Sequence, residues 1–194
     1  IYLKSFRDVR RLGVSAVLVV LVITASTAFT TGLLYTAEIL DATTGDIYDR
    51  GNLPDYYLQG EFTQEDLDRL SRMGVVGDFS ARRQAKGVVE TRNRLLPGLV
   101  YSLESNPSVN RPIPVSGRID VEPGQAVIGT MLATYHGYDV GDRITVRYEG
   151  RRREFTVVGV ALSPSDLVVI PSEAMPVPLP ERSSLVWVSP ADLP

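Results

Sequence analysis

From Leu12 to Ala37 the sequence reads LGVSAVLVVLVITASTAFTTGLLYTA, 26 residues without a charge. A bilayer span needs roughly 20 such residues, whereas an apolar run of about 10–14 is more typical of a buried core helix. At about 1.5 Å of rise per residue the run makes a helix roughly 39 Å long, so its outer end tilts or projects from a ~30 Å hydrocarbon layer. The competing reading is a cleavable signal peptide, whose apolar core is about 7–15 residues and ends at a small-residue cleavage site. Gly32–Ala37 leads straight on without such a site. Length decides for a span.

The flanks orient it. Lys4, Arg7, Arg10 and Arg11 precede the run against Asp8 alone, while residues 38–194 hold 16 basic and 22 acidic side chains. The positive-inside rule places the N-terminus in the cytoplasm and the 157 residues after the span outside. The chain thus divides into a cytoplasmic stretch 1–11, a transmembrane helix 12–37 and an extracytoplasmic domain 38–194. It opens on Ile1 rather than Met, which suits a portion of a longer product.

Within the span, Val17–Ile23 is a plain aliphatic rod, and then the character changes. Thr24, Thr27, Ala28, Thr31 and Tyr35 recur at spacings of three and four, on one helical face. Small and hydroxylated residues let helices approach closely and hydrogen-bond across the contact. Equally, each Thr can satisfy itself on the carbonyl four residues back. Tyr2, Phe6 and Tyr35 suit the membrane interface.

Beyond the span, residues 38–62 are polar and turn-rich, with Asp-Arg-Gly-Asn at 49–52, Pro54 and a short strand around Tyr56–Leu58. Thr63 caps a helix with acids in its first turn; Leu67, Leu70 and Met73 share a face, and Gly74 ends it. Strands are expected within Val75–Val89 and at Leu99–Leu103, with Pro107, Pro112 and Pro114 marking an extended connection. Gln125–Ile128 reads as a strand, Thr130–His136 as a short helix closed by Gly137, and Asp139–Asp142 as a turn. Ile144, Val146 and Tyr148 alternate with polar residues, Glu149-Gly150 turns, and Phe155, Val157 and Gly159 return: a β-hairpin in period two. Pro171, Pro176, Pro178 and Pro180 punctuate the next stretch, and Leu185–Val188 is a last strand, with Trp187 read as core ahead of an exposed grip for a hydrophobic partner. The fold class is α+β, one N-terminal transmembrane helix followed by an α+β domain with hairpins and short helices.

Several chemistries are excluded. The absence of cysteine removes disulfides, thiolate metal sites and a thiol nucleophile. His136 is the only histidine, too few for a His-based zinc site. A net charge of −3 argues against nucleic acid. The only lysines, Lys4 and Lys86, complete no phosphate-binding loop, so no ATPase is read in the chain.

A basic N-terminus and one long span precede Val115-Ser-Gly-Arg118, Glu122-Pro-Gly, Ala126-Val-Ile and Ala133-Thr-Tyr-His-Gly-Tyr-Asp-Val-Gly-Asp142. With the hairpin ITVRYEGRRREFTVVGVALS that ends at Ser163, this order resembles the FtsX-like/MacB-like family of ABC-transporter permeases. Family-like positions are Gly117, Arg118, His136, Gly137, Gly141, Asp142 and Gly159. The resemblance implies a permease of the bacterial cytoplasmic (inner) membrane, usually with four spans and the outer domain between the first two. It implies a cytoplasmic ABC-type ATPase partner that holds the ATP and magnesium, so this chain carries no cofactor, metal or catalytic residue. It further implies more permease spans or a second permease copy, contact with membrane lipid and other envelope proteins, and export or extraction of lipid, lipoprotein, peptide or drug.

Two other classes compete. A single-pass adaptor or sensor needs no further spans. An anchored Ser/Lys hydrolase would need Lys86 as a base, yet Lys86 lies in a polar segment with Arg82 and Arg83, where lysines are usually solvated. His136, at the end of its helix, suits a cap that complements the helix dipole better than a pH switch. Arg151–Arg153 reads as a solvated turn before a headgroup contact. Arg118 invites a carboxylate partner such as Asp120 or Asp142.

Overall fold

The apolar run leads directly into helix, and the helix does not stop with the apolar residues. In the computed structural model, which describes residues 13–105, 107–165 and 184–193, α1 spans Val14–Gly51. Lys4, Arg7, Arg10 and Arg11 lie outside the described residues, as do the prolines between 171 and 180. Among the described residues α1 is the one helix long and apolar enough to cross a membrane. The turn-rich reading of 38–51 is corrected: this stretch holds no proline and, before its last residue, only Gly45, so nothing in it breaks a helix. Its polar residues are mostly exposed, and such a helix shows no apolar period to read.

The chain divides into two units between Asp46 and Ile47. The first consists of α1 up to that point. In the second, Asn52 leaves the last turn of α1 and an irregular stretch leads to α2 (Gln64–Arg72). Thr63 and Asp66 form a capping box, each side chain accepting from the other's backbone N–H. Tyr56–Leu58 is not a strand, and its side chains are exposed. Pro54 and Gly60 bracket it and deny it a pairing run.

Seven strands complete the unit: β1 (Gln84–Glu90), β2 (Leu95–Ser102), β3 (Ile113–Gly117), β4 (Gln125–Gly129), β5 (Arg143–Tyr148), β6 (Arg151–Leu162) and β7 (Ser184–Val188), with α3 (Thr130–His136) after β4. The strand expected within Val75–Val89 begins only at Gln84, after Gly74, Gly77 and Asp78 have broken the run. The expected Leu99–Leu103 strand starts earlier, at Leu95. Pro97 is tolerated because the second neighbour of β2, the parallel strand β7, pairs only from Gly98 onward. β3 takes the place of an expected extended connection; it is an edge strand, where Pro114 forfeits little.

The ladder runs β3-β6-β4-β7-β2-β1-β5, and β5 pairs again with β6. Six strands therefore close into a ring, with β3 appended to the far half of β6. One apolar face, including Val89, Leu96, Ile128, Ile144, Phe155 and Val157, forms the main core with Leu132 of α3. The opposite face of β4, β7 and β2 is covered too, around Trp187, Val127 and Leu185. Hence β7 is buried at every position, and its apolar run lacks the alternation seen in β5.

On the outer wall of the ring, Glu90 of β1 accepts from Arg147 of β5 and, at 2.8 Å, from Arg152 of β6. These guanidinium bonds hold the Glu90 carboxyl below the usual carboxylate range. A group depressed in the folded state stabilises above its unfolded pKa and loses that contribution as pH falls through its folded value. Glu90→Gln is therefore expected to lower stability at pH 7 and to converge with the parent only once pH has fallen through the depressed folded pKa of Glu90. Urea unfolding followed by the emission of the lone Trp187 measures it; a parallel offset at all pH values would contradict the linkage.

Candidate functional site

No cluster of three His, Asp or Glu able to hold a metal occurs among the described residues. The features that invite a function are a face of α1, the place where α1 ends, and the family-like backbone positions.

On α1, all five predicted face residues line one shallow apolar concavity, with Ile23 and Gly32 beside them. The Thr24 and Thr27 hydroxyls donate to the carbonyls of Val20 and Ile23, each at 2.8 Å. Their protons are thus spent inside the helix. The face offers shape rather than hydrogen-bond donors at these two positions.

The Asp-Arg-Gly-Asn stretch at 49–52, read above as part of a turn-rich segment, is the end of α1 and a built junction. Asn52 takes a left-handed conformation at φ 50°, its N–H bonds the Asp49 carbonyl and the Leu53 N–H bonds that of Tyr48. This is a Schellman close with asparagine in the position glycine usually fills. The same two residues are stitched to a distant loop. The Gly51 carbonyl accepts from Arg111 N–H at 2.7 Å and the Asn52 carbonyl from Asn110 N–H at 2.8 Å. The Asn52 amide donates to the Ser108 carbonyl at 2.8 Å. Gly51 is buried, and a Cβ there would collide with the Pro164 ring. Asn110 is itself left-handed at φ 52° and donates to Ser165. Gly-Asn at 51–52 is the signal for this cap, legible only once the preceding residues are known to be helical.

The family-like positions shape backbone. Gly117 and Gly159 face each other where β3 meets β6. A Cβ on Gly117 would strike the Val158 carbonyl, and one on Gly159 the Arg118 carbonyl. Between Gly159 and Val157 the β4 register shifts, leaving Val158 as a bulge whose carbonyl accepts from Arg118 N–H at 3.0 Å. Arg118 does not find the carboxylate it was expected to seek: its guanidinium donates to the Asp120 backbone carbonyl at 2.6 Å and to the Gln125 side-chain carbonyl at 2.8 Å. The Asp142 carboxylate instead accepts from Asp139 N–H at 2.8 Å, closing the turn before β5. Gly141 N–H and the Asp142 carbonyl both bond Val157, each at 2.8 Å. His136 is the last residue of α3, half-buried, and Gly137 closes that helix in the left-handed region. Of the arginine triplet, Arg152 serves Glu90 and Arg153 bonds Asp192 at 3.0 Å. Asp192 also accepts from Gly124 N–H, and its carbonyl from the Tyr148 hydroxyl at 2.6 Å. Burial raises the pKa of Tyr148, keeping that donor protonated.

An apolar N-terminal helix, a mixed sheet and these shaped turns are matched as a whole. Residues 12–193 fit the family described as the MacB-like periplasmic core domain. The chain belongs to this family. No curated protein matches the sequence. Among solved structures, the extracellular domain of the noncanonical ABC-type transporter YknZ from Gram-positive bacteria is similar at 16% identity and a TM-score of 0.43. That match covers 66% of this chain and 62% of the other, so the chain spans less than two thirds of that relative. The match takes in both the helix long and apolar enough to cross a membrane and the strand-rich unit, as in a membrane protein that carries an extracellular domain.

Two substitutions probe these features. Gly51→Ala is expected to displace Pro164 and to cost about 1–3 kcal/mol, as overpacking does; unchanged urea unfolding would show that the junction yields freely. Thr27→Leu with Ala28→Leu fills the α1 concavity. It is expected to weaken assembly on native gels while Trp187 emission stays at the parent's, and normal assembly would remove the packing role from this face.

Proposed function

We propose that this MacB-like chain is the first span and outer domain of an FtsX/MacB-like permease subunit. Its N-terminus lies in the cytoplasm, its bulk lies outside the bacterial inner membrane, and a cytoplasmic ABC-type ATPase supplies the energy. The observation that carries this reading is the family match over 12–193, which takes in the apolar helix and the sheet together. The mechanism is mechanical. Closure of the ATPase subunits moves the spans, and α1, unbroken from Val14 to Gly51, carries that movement outward. The bonds of Gly51 and Asn52 to residues 108–111 give the last turn of α1 a firm grip on its own unit. With the Thr24 and Thr27 hydroxyls bonded within their own helix, packing there is by shape, which suits helices that shift against one another. The work is done on a lipid, lipoprotein, peptide or drug outside the membrane.

The assembly, extracted in mild detergent from its own membrane, is expected to show in native mass spectrometry an ATP-binding subunit bound to this polypeptide. An assembly holding only envelope proteins would replace the permease with an adaptor or sensor.

A further inference from the structure

The stretch between α1 and β1 leaves large apolar side chains in water. Val75 is 94% exposed, Tyr56 88% and Leu58 69%, with Met73 and Phe62 about half so. α2 lies within it, amphipathic and capped, yet without a buried residue. Such a surface needs a cover. The charged side chains of residues 53–81 are predominantly acidic, so the apolar residues sit in a negative field. An anionic lipid surface would be repelled by it.

The complement is on the same molecule. Strands β2-β1-β5-β6 form one continuous wall, and the charged side chains of its residues 84–97 and 143–156 are predominantly basic. The outward positions of β1 include Lys86 and Val88. Arg147 on β5 beside them is already paired with Glu90, so the bases that border the strip are Lys86 and, in the β1–β2 turn, Arg92 and Arg94. Leu95, 62% exposed, and Pro97 continue an apolar strip on β2 beside them. An apolar strip bordered by bases thus faces water on one side of the unit, and an apolar segment bordered by acids does so elsewhere.

We propose that these two surfaces meet between two copies of the chain, the α2 segment of each lying on the β2-β1-β5-β6 wall of the other. A two-fold axis makes both contacts at once and closes the pair, which stops the complementary patches from propagating into a fibre. Apolar contact supplies the adhesion, and the opposed charges set register and exclude wrong partners. The contact rests on these surfaces alone and holds whether or not an ATPase is the energy source.

The chain has no cysteine, so introduced thiols report without background. Differently tagged full-length chains carrying Val75→Cys or Lys86→Cys are co-expressed and treated in their own membranes with a short bis-maleimide. A link between the two tags is expected. Its yield should fall about tenfold in Asp68→Lys/Asp78→Lys and recover when Arg92→Glu/Arg94→Glu is present on the other chain. Absence of the link, links only between two Val75→Cys chains, or charge reversal without effect would each overturn the contact. Native mass of the same preparation separates the two readings. An ATPase subunit present without the link leaves the permease and removes the contact; the link without an ATPase subunit does the reverse.

Discussion

Thr156, in the middle of a 12-residue strand, is paired with Arg143 on one side and Gln125 on the other. That double pairing lets β6 join β5 to β4 and turn an open sheet into a ring. Closure needs a strand that changes neighbours along its length, and the bulge at Val158 is where the change is made: before it β6 belongs to β5, after it to β3. The bulge in turn needs residues without side chains at Gly117 and Gly159, because their backbones approach too closely for a Cβ. The family-like glycines therefore serve closure, and the arginine between them secures the loop into β4.

Whether an element could be read from the residues depended on whether a period was present. The hairpin of β5 and β6 alternates cleanly because one face meets the core and the other water, and α3 is bounded by a glycine in the left-handed region. The polar half of α1 offered no such signal, since an exposed helix constrains few of its side chains. β3 was hidden by Pro114, and the start of β2 by Pro97, both harmless only because of which edges are left unpaired. Strand order was not legible either. β7 enters between β4 and β2, and nothing local in Leu185–Val188 names those neighbours.

The face residues of α1 were legible as a face, yet their chemistry was not. Spacing alone left two uses for the threonine hydroxyls, and those of Thr24 and Thr27 bond their own helix. At the other end of α1, a cap that normally uses glycine uses asparagine, whose amide reaches Ser108. A left-handed asparagine costs more than glycine would, and the extra bond offsets it. Within its own unit, the last turn of α1 is thus held through side chain and backbone together.

The position of β7 also governs the order of events during synthesis. Its residues 184–188 emerge long after β2 and β4, yet both of those strands wait for it as a shared neighbour. The antiparallel pairs of β1 with β2 and β5 with β6 can form while the chain is still being made, but the gap between β4 and β2 stays open until Val188 has left the ribosome and, on the orientation proposed, crossed the membrane. For that interval two strand edges and an apolar interior face the envelope unpaired. Non-local, partly parallel pairing of this kind is slow, so the nascent domain has a window in which aggregation competes with closure.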